Sequence, residues 1–132
     1  MIADVEVKTH KRTELIDITE HVASVVRSSA VKEGTVFVFV PHTTAGLTIN
    51  ENADPDVKRD ILAEMNKVIP FNDDYRHGEG NSAAHIKSSL FGPGLTVIIS
   101  GGELLLGTWQ SIYFCEFDGP RNRRLHVKIQ EG

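Results

Sequence analysis

Alternating apolar and polar residues open the chain and predict a half-buried β-strand over residues 2–9. Ala3, Val5 and Val7 share one face of that strand, and Asp4 and Glu6 share the other. Apolar positions also predict six later strands, at residues 14–18, 35–40, 47–49, 95–100, 111–117 and 123–130. The 35–40 segment is apolar at nearly every position, which is typical of a central strand buried on both faces.

Helical periodicity alternates with these strands at three places, residues 19–31, 55–69 and 82–91. Thr19 and Asn81 are predicted N-caps, because their side-chain oxygens can accept an N–H of the first turn. Asp54 followed by Pro55 is a strong helix start.

Strands and helices are mixed without regular alternation, and turn residues predict hairpins at 101–110 and 118–122. The prediction is therefore a single α+β domain over residues 1–132. A mostly antiparallel or mixed sheet would carry helices on one face.

Composition narrows the class of protein. A formal net charge of −4 argues against non-specific nucleic-acid binding. No run of about 18 apolar residues predicts a membrane span, and the N-terminus shows no secretory pattern. Cys115 is the single cysteine and cannot form an internal disulfide, which fits a reducing, cytoplasmic location.

Polar residues cluster where predicted strands and helices end. His42 follows the 35–40 strand, and His77 and His85 flank a glycine-rich loop and the start of a helix. Three histidines could hold a divalent metal, Zn²⁺ or Mg²⁺, with open positions for water or substrate. Hydrogen-bonded structural histidines are the alternative. The candidate metal ligands are His42, His77 and His85.

Two carboxylates remain after capping is assigned to Asp54. Glu51 and Glu79 could each act as a base or a ligand, so the candidate catalytic residues are His42, Glu51, His77, Glu79 and His85. Hydroxyl, amide and guanidinium groups near these positions suit a phosphate or carboxylate. The candidate binding residues are Thr43, Thr44, Asn50, Asn81, Ser82, Thr108, Trp109 and Arg121, with Trp109 as an aromatic wall or an interface residue.

Five segments resemble the YjbQ-like family, also described as secondary thiamine-phosphate synthase. The segments are Pro41–Gly46, Asn50–Pro55, His77–Lys87, Leu106–Gln110 and Asp118–Arg121, in family order along nearly the whole chain. The resemblance implies a compact α+β domain, a homotrimer and a weak thiamine-phosphate synthase activity.

Three functional hypotheses follow. The first is an enzyme acting on a phosphorylated small-molecule substrate, a transferase by resemblance. The second is a metal-dependent hydrolase that uses the three histidines, and the third is a non-catalytic ligand-binding or scaffold trimer.

The first two hypotheses need the helix that begins near Ser82 to lie beside the end of the 35–40 strand. We expect the imidazole nitrogens of His42, His77 and His85 within about 5 Å of one another. Glu51 or Glu79 would reach the same cavity, near a subunit interface.

Overall fold

The computed structural model describes residues 2–132, which form eight strands and three helices. The strands are β1 (Ile2–Lys8), β2 (Glu14–Asp17), β3 (Gly34–Phe39), β4 (Ala45–Glu51), β5 (Gly94–Ser100), β6 (Glu103–Leu104), β7 (Gln110–Glu116) and β8 (Asn122–Glu131). The helices are α1 (Thr19–Ser29), α2 (Pro55–Val68) and α3 (Ser82–Phe91). None of them is long and apolar enough to cross a membrane.

The strands form two antiparallel sheets. One sheet has five strands in the order β1-β8-β3-β5-β6, and the other has three in the order β2-β7-β4. The predicted α+β class is confirmed, and the sheet that the sequence predicted as one is divided into two.

Two apolar layers hold the fold together. The larger layer lies between the sheets, where Val36 and Val127 of one sheet and Phe114 of the other are buried with Val22 and Val26 of α1. The smaller layer lies between the three-stranded sheet and helices α2 and α3, and it contains Ala84, Tyr113, Cys115 and Phe117. β7 lies between the two layers, so its side chains are buried on both faces.

The prediction that the 35–40 strand is buried on both faces is wrong. Phe37 and Phe39 point away from the core and are 43% and 39% exposed. The five-stranded sheet is covered on one face alone, so β3 alternates between buried and exposed positions. Together with Ile2 and Ile98, these phenylalanines leave an apolar outer face on the larger sheet.

Helix starts show which capping predictions hold. Asp54 caps α2, and its carboxylate accepts the N–H of Asp56 at 2.9 Å. Thr19 does not cap α1, because it is the first residue of the helix and Ile18 stands at the N-cap position; Asp17, one residue before the N-cap, accepts the Thr19 N–H at 2.9 Å. The Thr19 hydroxyl instead accepts the N–H of Ile112 and joins α1 to β7.

Lys87 ties α3 to the rest of the helical layer. Its side chain is fully buried, and Nζ donates to Asn66 Oδ1 on α2 at 2.6 Å. Nζ also lies 4.1 Å from the centre of the Phe71 ring, which Arg12 contacts as well. Burial and the nearby Arg12 lower the pKa of Lys87 to about 8.

Candidate functional site

Three connections meet at one end of the three-stranded sheet. They are the β3–β4 connection, the loop that leads into α3, and the turn between β7 and β8. Together they enclose a pocket of about 430 Å³, called the site pocket below. Its lining residues are Pro41, His42, Thr43, Thr44, His77, Glu79, Asn81, His85, Arg121 and Arg123.

A close helix–strand contact positions the α3 side of this pocket. The Ser88 hydroxyl donates to the carbonyl of Ala45 at 2.7 Å, and the Leu47 N–H donates to the carbonyl of Gly92. Gly46 lies between these bonds, and a Cβ there would meet the Gly92 oxygen at 2.9 Å. The absence of a side chain at Gly46 therefore lets α3 lie directly on β4, beside the end of β3 as the sequence predicted.

A buried ion pair supports the opposite wall. Arg123 is 5% exposed, and it donates through Nε and Nη2 to the carboxylate of Glu116, which is fully buried. Nη2 also donates to the Thr44 hydroxyl at 2.9 Å, and Thr9 donates to Glu116 at 2.8 Å. These bonds leave Nη1 of Arg123 without a protein acceptor among residues 2–132, on a residue that lines the pocket.

The ionised state of Glu116 depends on this pairing. Burial alone would raise the pKa of the carboxyl group. Hydrogen bonds from Arg123, the Asp118 N–H and Thr9 outweigh burial, and the pKa lies below its ordinary value. Arg123 and Glu116 are therefore both charged, and the pair holds the guanidinium in one orientation at the pocket wall.

His42 is neutral and has a defined role in hydrogen bonding. Its Nε2 accepts the backbone N–H of Arg124 at 3.0 Å, so the remaining ring proton is assigned to Nδ1. Burial lowers the pKa of His42, and the positive charge of Arg123 lowers it further. His42 thus contributes an N–H donor to the pocket and has no free lone pair on Nε2.

Asp118 joins two other walls of the pocket. One carboxylate oxygen, Oδ2, accepts from Arg121 Nη2 at 2.7 Å and from Asn81 Nδ2 at 2.9 Å. Asn81 therefore does not cap α3 through its side chain, contrary to prediction, because its amide is bound to Asp118. Its Oδ1 is buried and receives no hydrogen bond, which costs stability at a position that lines the pocket.

The two histidines of the α3 side contact each other. The rings of His77 and His85 meet edge to face with centroids 5.4 Å apart, and His77 Nε2 lies 3.9 Å from Glu79 Oε2. Glu79 thus reaches the same pocket as the three histidines, as one of the two carboxylates was expected to do.

The three-histidine metal site is nevertheless not formed. Among residues 2–132, no group of three or more His, Cys, Asp or Glu side chains is placed to hold a metal ion. His42 shares the pocket with His77 and His85, but its Nε2 is already bound to the Arg124 N–H. The expectation of a metal-dependent hydrolase that uses these three ligands is therefore wrong.

Four predicted site residues lie elsewhere. Asn50 and Glu51 are at the other end of β4, about 20 Å along an extended strand from Ala45. Thr108 and Trp109 are beside them, and the Trp109 carbonyl accepts the Asn52 N–H. A fifth residue, Ser82, lines a neighbouring depression that includes His77 and His85.

Sequence reasoning missed Glu116, Asp118 and Arg123 as site residues. A signal was present for two of them. Arg123 has the same strand parity as Leu125 and Val127, which are buried, and Glu116 ends a run of apolar residues in β7. Two oppositely charged residues at positions where the strand pattern predicts buried apolar side chains indicate a buried ion pair.

Comparison with known proteins defines the family. The family model described as "UPF0047 protein YjbQ-like" matches residues 3–132. The UPF0047 protein MJ1081 of Methanocaldococcus jannaschii is 56% identical over 129 residues, which are 98% of this chain and 94% of that protein. The UPF0047 protein YugU of Bacillus subtilis is 51% identical over 130 residues, 98% of each chain. The chain belongs to the YjbQ-like UPF0047 family.

Solved structures show the same fold. A YjbQ/UPF0047 family protein from Clostridium acetobutylicum superposes with a TM-score of 0.96 at 56% identity, covering 97% of this chain and 99% of its own. A YbjQ-like protein from Sulfolobus solfataricus gives 0.95 at 32% identity, with coverage of 100% and 97%.

These relatives do not support the expected activity. The S. solfataricus protein is described as being of unknown function, and the names of MJ1081 and YugU state a family and no reaction. The expectation of an enzyme that acts on a phosphorylated substrate, with thiamine-phosphate synthase activity, is therefore not supported. The comparisons show membership of the family and no reaction. The scaffold-trimer alternative likewise has no counterpart in these descriptions.

Proposed function

We propose that this chain binds a small anionic molecule in the site pocket. The observation that carries the proposal is Arg123, a charged side chain that is almost fully buried, lines the pocket and keeps Nη1 free of protein acceptors. A guanidinium with a free N–H edge is well suited to a phosphate or carboxylate oxygen.

Other donors around the pocket support an anion. His42 offers Nδ1–H, Thr43 is exposed at the wall, and Arg121 is half exposed even though it pairs with Asp118. Arg121 and Arg123 outnumber the single lining carboxylate, Glu79. Orientation matters more than net charge here, because Glu116 and Asp118 neutralise the two arginines from behind.

The proposed ligand class includes phosphate esters and carboxylates, so the phosphorylated ligand expected from the sequence falls within it. The proposal concerns binding alone. The candidate catalytic roles of His77, His85 and Glu79 stay predictions, and Glu79 is the carboxylate that lines this pocket.

Isothermal titration calorimetry with inorganic phosphate tests the proposal through a matched pair of variants. Thr43→Asp places a negative charge at the exposed pocket wall, and Thr108→Asp makes the same change at an exposed threonine beside the other end of β4. We expect Thr43→Asp to weaken phosphate binding by about tenfold or more and Thr108→Asp to leave it unchanged. Equal affinities in all three proteins, or no measurable binding to the wild type, would refute the proposal.

We also propose that copies of the chain assemble through the apolar outer face of Ile2, Phe37, Phe39 and Ile98. Four large apolar side chains exposed on one sheet face are characteristic of an interface between proteins. The resemblance to the family makes a trimer the expected assembly.

Light scattering of the eluted protein tests the assembly. A Phe37→Ser, Phe39→Ser double variant should elute at the mass of one chain, whereas Leu90→Ser, which replaces an exposed leucine on α3, should keep the wild-type mass. A wild-type protein of 14.6 kDa in solution would contradict the proposal.

Two further expectations stay predictions. Divalent-metal binding would need ligands other than the predicted three-histidine set, and elemental analysis of protein purified without a tag checks it. The cytoplasmic location is supported by Cys115, which is a buried, unpaired thiol with a pKa raised by burial.

A further inference from the structure

A second and larger cavity adjoins the site pocket. It has a volume of about 770 Å³ and lies along the outward-facing side of β1 and β8. Glu6, Lys8, Asn122 and Arg124 belong to it and not to the site pocket, whereas Pro41, His42 and Arg123 line both cavities. We call it the outer chamber. Because these three residues line both, the two cavities adjoin and form one groove.

The outer chamber contains two cations without a carboxylate partner. Lys8 and Arg124 are exposed, and neither joins an ion pair among residues 2–132. Glu6 is opposite Arg124 in the strand register but does not pair with it. The nearby His126 is already engaged, with Nδ1 2.6 Å from the carboxylate of Asp4. The chamber therefore has more free positive charge than free negative charge.

The backbone of Arg124 connects this chamber to the site pocket. Its N–H is the donor that fixes His42, and its side chain is one of the two free cations. Residues 123 and 124 are adjacent on β8, so their side chains point to opposite faces of the strand. A ligand that spans both guanidinium groups therefore passes around β8 beside His42, which lines both cavities.

We propose that the groove takes a molecule with two separated anionic groups, one in the site pocket and the other at Lys8 and Arg124. This inference rests on the proposed binding function and adds to it the second anionic group. A single phosphate or carboxylate would occupy the site pocket and leave the outer chamber to solvent.

Straight-chain dicarboxylates from four to eight carbons are suitable probes, each compared by calorimetry with the monocarboxylate of equal carbon number. At the best chain length, the dicarboxylate should bind about tenfold tighter than its partner. The advantage should disappear in a Lys8→Ala, Arg124→Ala double variant. It should persist in Lys67→Ala, which removes an exposed cation of α2 that lines neither cavity.

The outcomes separate the two proposals. If inorganic phosphate and the monocarboxylates bind but no dicarboxylate binds more tightly, the second subsite is wrong and the site pocket stands. If the advantage survives the double variant, the second group binds elsewhere and the inference is overturned. If neither phosphate nor any carboxylate binds to the wild type, both proposals fail. Circular dichroism of the double variant checks that its fold is intact.

Discussion

β4 carries a polar cluster at each end, and the two clusters differ in how their hydrogen bonds are satisfied. At the end near Ala45, His42 and Arg123 line a pocket and keep donors free of protein acceptors. At the end near Glu51, polar groups bind each other, as when the Tyr113 hydroxyl donates to Asn52 Oδ1 at 2.8 Å. The proposed binding site therefore lies at the end of β4 where donors are left unused.

Support from the core explains the difference. The site pocket is backed by Glu116 and Arg123, whose charges are buried and paired. The cluster around Glu51 has no such backing, and its Asn50 side chain accepts the N–H of the next residue. A buried pair fixes one orientation, which is what a binding site requires of its donors.

The largest expected effect comes from breaking that pair. Glu116→Gln leaves the Arg123 guanidinium buried without its counter-charge, and it should lower the free energy of unfolding by about 3–5 kcal/mol. Glu51→Gln, the same change at the other end of β4, should stay within about 0.5 kcal/mol. Urea denaturation of both variants measures the contrast, and equal losses would contradict it.

The pH dependence of stability should reflect the same carboxylate. Because the folded-state pKa of Glu116 is lowered, its contribution is complete above the unfolded value of about 4.3. The contribution is lost as the pH falls through the lower folded-state pKa. The stability of Glu116→Gln should therefore decline less between neutral and acidic pH than that of the wild type, and parallel curves would argue against a paired, ionised Glu116.

A smaller loss is expected where α3 meets β4. Gly46→Ala would bring a methyl group against the Gly92 carbonyl, and overpacking of this kind costs about 1–3 kcal/mol. Gly78→Ala, in the loop before α3, meets nothing within 4 Å and should cause no loss. Phosphate affinity should also fall in Gly46→Ala, since α3 carries one wall of the pocket.

The polar cluster near Glu51 should contribute to stability and not to ligand binding. Tyr113→Phe removes the hydroxyl that donates to Asn52 Oδ1 and lies 3.1 Å from the Glu51 carbonyl oxygen, and it should cost about 0.5–1.5 kcal/mol. Phosphate affinity should be unchanged, as calorimetry can show. A clear loss of affinity would mean that this end of β4 takes part in binding.

The smallest effect concerns one proton. NMR titration of the His42 ring should give a pKa below the ordinary value of about 6.5, because burial and Arg123 disfavour the charged form. The folded chain then binds this proton less readily than the unfolded chain, so stability falls as the pH drops through that range. A raised His42 pKa would contradict the neutral donor.

The sequence predicts best what local geometry decides. Asp54 and Pro55 start α2 where they were expected to, because a cap needs only the residues of its own first turn. Asn81 has an equally good capping side chain, but Asp118, distant in sequence, binds its amide instead. The residues next to Asn81 in sequence do not reveal this competing hydrogen bond to Asp118.

A contact between residues distant in sequence also explains why the predicted metal site is not formed. His42, His77 and His85 do line one pocket, because α3 packs beside the end of β3 as the sequence predicted. The hydrogen bond from the Arg124 N–H to His42 depends on strand packing across 82 positions, which no spacing rule could anticipate. The prediction that Glu51 and Trp109 belong to the site is wrong for a simpler reason, since the length of β4 separates them from the pocket.

Mapping of backbone amide shifts by NMR during a phosphate titration tests the central claim most directly, because it reports on both ends of β4 in one experiment. The predicted result is saturable shifts confined to residues 41–44, 77–85 and 121–124, with residues 50–54 and 108–110 unmoved. Shifts concentrated at residues 50–54 and 108–110, or no saturable shifts anywhere, would contradict the assignment of the binding site to the pocket around His42 and Arg123.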